Sequence, residues 1–120
     1  MDRKARIRQY KEAKRPMGVY RVRNTASGKC LIGATVDLPA MLNRQRFQLE
    51  SRLHSNRALQ QDWNRLGPGA FEFETLDTLE PPDEPGYDPS EDLRMLVAMW
   101  LEKLALSSDA LYGDEPKRGA

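Results

Sequence analysis

Two β-rich runs of mostly apolar positions stand near the start of the chain, "MGVYRVRN" and "KCLIGATV". Runs of this kind beside a turn signal predict the two strands of a hairpin. The runs are joined by "TASG", whose Gly28 supplies the positive φ that a hairpin loop often needs. If Asn24 faces Lys29, Tyr20 falls opposite Gly33 and Val22 opposite Leu31. Residues two apart on a strand share a face, so Tyr20 and Leu31 project to the same side. Gly33 then leaves room beside the tyrosine ring.

The period changes after Asp37. Leu38, Met41, Leu42, Leu49 and Leu53 recur at helical spacing, with Asp37 as cap and Pro39 in the first turn. "HSNRALQQDWNRLG" predicts a second, short helix capped by Asn56 and ended at Gly67. "AFEFETLDTL" alternates and predicts a half-buried strand whose outer face carries Glu72 and Glu74. "EPPDEPGYDPSED" holds four of the eight prolines and six carboxylates, which makes it a loop. Its end predicts a helix start, with Asp88 as cap, Pro89 in the first position and Glu91 closing a capping box. Residues 89–106 follow as a long helix burying Leu93, Leu96, Val97, Trp100, Leu101 and Leu104.

Residues 1–15 are expected to form a basic helical arm stopped by Pro16, residues 16–107 the folded domain, and residues 108–120 a flexible tail. The whole reads as an α+β fold: a small three-stranded antiparallel or mixed sheet flanked by helices and preceded by a basic N-terminal helix.

Charge changes this picture more than composition does. The 120 residues carry a net charge of +1, yet residues 1–67 hold 15 Lys and Arg against 5 Asp and Glu. Residues 68–120 hold 4 against 13. The split is read either as a basic face for a polyanion or as two halves that pack and cancel. The single cysteine, Cys30, allows no internal disulfide and is read as a small buried hydrophobe in a reducing cytoplasm. No apolar run reaches the length of a membrane span, and the first residues lack the apolar core of a signal peptide.

Several chemistries find no support in the spacing. There is no phosphate-cradling glycine loop, and one cysteine with one histidine makes no zinc set. His54, alone and at a helix boundary, is read from its context as a capping or surface residue, with no nucleophile elbow beside it.

"GVY" at 18–20, "GK" at 28–29 and "LIG" at 31–33 resemble the paired signature of the GIY-YIG endonuclease superfamily. "N-x3-GK-x2-IG-x-T-x-DL" and the downstream "H-x-N-x2-L-x3-W" stand in the same order as in that family. The resemblance runs from about residue 16 to residue 104. It implies a three-stranded sheet flanked by helices and a single-metal phosphodiester hydrolase. In such a site one tyrosine activates water, a second supports it, an arginine steadies the phosphate, and a glutamate holds the metal.

Carried over residue by residue, Tyr20 matches the first tyrosine and Leu31 stands at the second. The arginine position falls on Met41 and the glutamate position on Val97. The late asparagine, expected near Tyr112, has no counterpart, while His54 stands where the family often has histidine. Three apolar substitutes imply a cleft dried and filled into core packing. Arg44, about one turn beyond Met41, is the residue that could take over the phosphate.

The leading expectation is therefore a protein that binds nucleic acid, DNA in the first instance, with its phosphodiesterase site largely lost and no cofactor. The expected contacts are Arg3, Lys4, Arg6, Arg8, Arg21, Arg23, Arg44 and Arg46. One alternative is an active endonuclease using Tyr20, Arg44 and His54 with Mg²⁺ or Mn²⁺. Another is a protein-interaction module or homodimer pairing the basic arm with the acidic 80–92 loop.

Overall fold

A computed structural model describes residues 15–112 of the chain. The basic arm with Arg3, Lys4, Arg6 and Arg8, and the tail after Tyr112, lie outside the described residues.

Strands β1 (Met17–Asn24), β2 (Cys30–Thr35) and β3 (Phe71–Leu79) form one antiparallel sheet in the order β2-β1-β3. The hairpin register is the expected one, with Tyr20 opposite Gly33 and Val22 opposite Leu31. Gly28 turns the hairpin at φ 83°, and its N–H bonds back to the Asn24 carbonyl. Across the other edge of β1, Tyr20 faces Thr75 and Val22 faces Phe73, with an irregularity between Val19 and Tyr20. Those two neighbours point to opposite faces yet both are buried. Both faces of the central strand are therefore covered.

Helices α1 (Leu38–Glu50) and α2 (Arg57–Leu66) follow the hairpin, and α3 (Ser90–Leu104) follows β3. Asp37 caps α1 by accepting from Ala40 N–H at 3.1 Å, with Pro39 in the first turn. Asn56 caps α2 in the same way through Leu59 N–H at 3.0 Å. The core gathers Val22, Leu49, Leu59, Trp63, Phe71 and Tyr112, with Leu31 and Phe73 packed against it. Trp63 sits 5.3 Å from Phe71 and 6.1 Å from Phe73 between ring centroids. Burying Leu49 and Leu59 completely contributes roughly 1.5–3 kcal/mol each.

Three expectations are corrected. Leu53 is not on the buried face of α1; it lies beyond the helix end and is 71% exposed. The chain turns there because Arg52 adopts the left-handed conformation at φ 62°. Glu91 closes no capping box among the described residues. The Asp88 carboxylate instead accepts from both the Ser90 N–H and the Ser90 hydroxyl. Residues 108–112 are not part of a frayed tail. Ser108–Ala110 form a 3-10 turn, Leu111 bridges to Cys30, and Tyr112 is buried in the core.

Candidate functional site

Tyr20, Leu31, Ile32 and Gly33 from the sheet, and Leu93, Arg94, Val97 and Leu101 from α3, line a cleft of about 980 Å³. His54 and Asn56 close it from the start of α2. The cleft runs along β2, an edge strand, which explains why residues from both faces of that strand reach it. It is not filled, contrary to the expectation of dried core packing. Leu31 and Val97 are half-buried, so each belongs to a cleft wall as well as to the packing behind it. Leu31 closes the core with one side and leaves the other on open space.

Tyr20 is buried on the cleft wall, against the bare backbone of Gly33. Burial pushes its phenol above the usual tyrosine range, and the positive charge of Arg44 opposes this. The phenol keeps its proton at neutral pH and can serve the cleft as a hydrogen-bond donor, not as a base. Met41 is not a cleft residue; its sulfur accepts from Gln45 Nε2 at 3.5 Å. Cys30 is buried at the cleft, and burial raises its thiol pKa, so it stays protonated.

His54 faces the cleft with both ring nitrogens engaged. Nδ1 accepts from Asn56 N–H at 3.0 Å, which leaves Nε2 to carry the proton toward Gln45 Oε1 at 2.5 Å. Burial lowers its pKa, favouring that neutral form. A histidine so committed holds the loop between α1 and α2; it has no free nitrogen to accept a proton from water.

The expected nucleic-acid contacts divide into two groups. Arg21 pairs with Glu74 at 2.6 Å and Arg23 with Glu72 at 3.1 Å, both across the β1–β3 strand pair. Their charge is offset locally. Arg44 and Arg46 are exposed on α1 and, among the described residues, pair with no carboxylate. The Arg46 guanidinium lies 4.3 Å from the centroid of the Phe73 ring, a cation–π contact that holds it at the surface.

Sequence reasoning did not find the polar groups that organise this region. Asn24 is fully buried, accepts from Ala26 and Ser27 N–H, and donates to the Tyr112 hydroxyl at 2.9 Å. Tyr112 in turn donates to Asp62 at 2.6 Å. Burial, then the Asp62 bond, push the Tyr112 phenol up to about 12, and the same bond lowers the Asp62 carboxyl. Gln60 accepts from His54 N–H and donates to the Leu49 carbonyl. Arg94, the one charged residue in the cleft lining among the described residues, also escaped notice. Its i, i+3, i+7 relation to Val97 and Leu101 was the available clue.

Among the described residues no Asp or Glu, the donors a hard divalent cation takes, lines this cleft. Glu91 and Glu102 lie off its lining, and among the described residues no group of three His, Cys, Asp or Glu could hold a metal.

A three-stranded antiparallel sheet flanked by helices in this way is the fold of a GIY-YIG endonuclease catalytic domain. The chain is similar to the catalytic domain of the homing endonuclease I-TevI, at 27% identity and a TM-score of 0.62, over 82% of this chain and 99% of that one. It is also similar to a glutamate-to-alanine mutant of the same catalytic domain, described as an intron endonuclease. There the identity is 23% and the TM-score 0.64, over 82% of this chain and 92% of the other. No protein-family model and no curated protein sequence matches the chain.

Proposed function

We propose that this chain is a nucleic-acid-binding domain of the nuclease fold, acting on DNA, in which metal-dependent phosphodiester cleavage has been lost. The observation that carries the reading is the lining of the cleft: Tyr20 is there and, among the described residues, no carboxylate is. Hydrolysis at neutral pH needs water made nucleophilic and charge neutralised on phosphate oxygens. A protonated Tyr20 between Leu31 and Val97 supplies neither the metal ligand nor the base.

Binding asks less of the site. Exposed Arg44 and Arg46 can neutralise backbone phosphates without reading bases, and Arg3, Lys4, Arg6 and Arg8 belong to the same proposal. Affinity then falls with salt and depends weakly on sequence. Each phosphate contact adds a slope of about −0.9 to log affinity against log salt for duplex DNA.

The second reading is retained cleavage with Tyr20 and Arg44, whose positive charge opposes, without outweighing, the upward push of burial on the phenol. The test is a labelled single strand and a labelled duplex, each titrated across a salt series, together with supercoiled plasmid incubated with Mg²⁺ and with Mn²⁺. Salt-sensitive binding with intact plasmid is the expected result. Single-hit nicking that disappears in Tyr20→Phe would overturn the loss of cleavage, and no binding at low salt would overturn the reading as a whole.

A further inference from the structure

Helix α1 inverts the usual placement of its side chains. Gln45 is buried at 7% exposure, while Phe47, two residues on, is 63% exposed. The glutamine is explained by its bond to His54. Among the described residues the phenylalanine has no such partner. It lies on one helix face with Asn43 and Arg44, at i−4 and i−3, where Cβ atoms stand about 5–6 Å apart. Ala40, Asn43, Arg44, Arg46, Phe47 and Glu50 outline a shallow depression of about 470 Å³.

We infer that this face is a stacking platform for unpaired nucleobases, with Phe47 taking the base and Arg44 and Arg46 the flanking phosphates. The inference rests on the nucleic-acid reading above and specifies its substrate as single-stranded. In a duplex both faces of each base are already covered by neighbours, so an exposed ring gains nothing. An unpaired base offers its π-face to Phe47, and such stacking tolerates any sequence. The arginines have the complementary charge for the strand's phosphates, and the Phe73 ring holds Arg46 in place before any ligand arrives. Glu50 is the opposing element; its carboxylate sits at the rim and repels the same phosphates.

The test is fluorescence anisotropy with a labelled oligothymidylate and with a duplex of equal length at fixed low salt, using the full chain. Wild-type protein should bind the single strand more tightly than the duplex. Phe47→Ala should weaken single-strand binding roughly 5- to 150-fold and leave duplex binding within about twofold. Phe47→Trp should restore the single-strand affinity, and Glu50→Gln should tighten both. Phe47 is exposed, so thermal melting of the alanine variant should match wild type. Unchanged single-strand binding by Phe47→Ala, or an equal loss on both ligands, overturns the platform while leaving the nucleic-acid reading standing. Failure of the wild type to bind either ligand overturns both.

Discussion

A β-carbon on Gly33 would stand 2.6 Å from the Tyr20 hydroxyl oxygen and 2.8 Å from the ring carbon that bears it. The pair is matched across the hairpin, and the tyrosine occupies the space that the missing side chain leaves. Gly33→Ala should therefore cost about 1–3 kcal/mol, the usual penalty for overpacking. Because the nearest atom is the hydroxyl, combining it with Tyr20→Phe should recover part of the loss. Urea melts of the two single variants and the double variant check this; additive costs would show that the contact is not the cause.

Arg21 and Glu74 should be coupled in stability. Their side chains are 19% and 29% exposed, and Arg21 Nε is buried without a partner. Glu74→Gln leaves the guanidinium under-compensated and should cost about 1–3 kcal/mol, between the values for exposed and for buried pairs. Arg23→Gln, at the more exposed pair, should cost under about 1 kcal/mol. Chemical denaturation of both variants makes the comparison.

Tyr112→Phe should destabilise by about 1–2 kcal/mol, since it strips a hydrogen-bond partner from both Asn24 and Asp62. Its pH dependence has a defined sign. The folded phenol titrates near 12 and the unfolded one near 10, so the folded state binds more protons between those values. Wild-type stability from this group is complete below about pH 10 and is lost as pH rises toward 12. Melting curves between pH 9 and pH 11 should fall less steeply in the phenylalanine variant.

His54 acts at the other end of the scale. Its folded pKa is lowered, so the unfolded state binds more protons once pH drops below about 6.5. The stability associated with the neutral ring is present above that pH and is lost as pH falls through the lower folded value. His54→Gln should reduce the slope of stability against pH between about 7 and 5. The readout is the slope, because the variant also loses the bond to Asn56 N–H and shifts at every pH.

The hairpin was legible in the chain because two β-rich runs, the Gly28 turn and the small residue at position 33 all point to one register. Both caps before α1 and α2 were legible for a similar local reason. The state of the cleft was not. Leu31 and Val97 have the same sequence character whether they fill a core or wall an open space, and only the placement of α3 against β2 decides between them. The pairing of Arg21 and Arg23 was hidden too. The "FEFE" alternation put Glu72 and Glu74 on one face, but which residues oppose them depends on the β1–β3 register across about 50 residues. Buried Asn24, Gln45 and Gln60 are satisfied by partners that sequence cannot pair with them, Tyr112 being 88 positions from Asn24.

The bridge between Cys30 and Leu111 also covers the first residue of the sheet's edge. Strand β2 is an edge, and its unpaired backbone groups are a template for any extended segment that comes near. The N–H of Tyr112 occupies the Cys30 carbonyl at 2.8 Å, while the tyrosine side chain anchors that segment in the core. A chain cut after residue 107 loses the buried Tyr112 together with this cover, and should both melt earlier and self-associate through the vacated edge, the second effect growing with concentration.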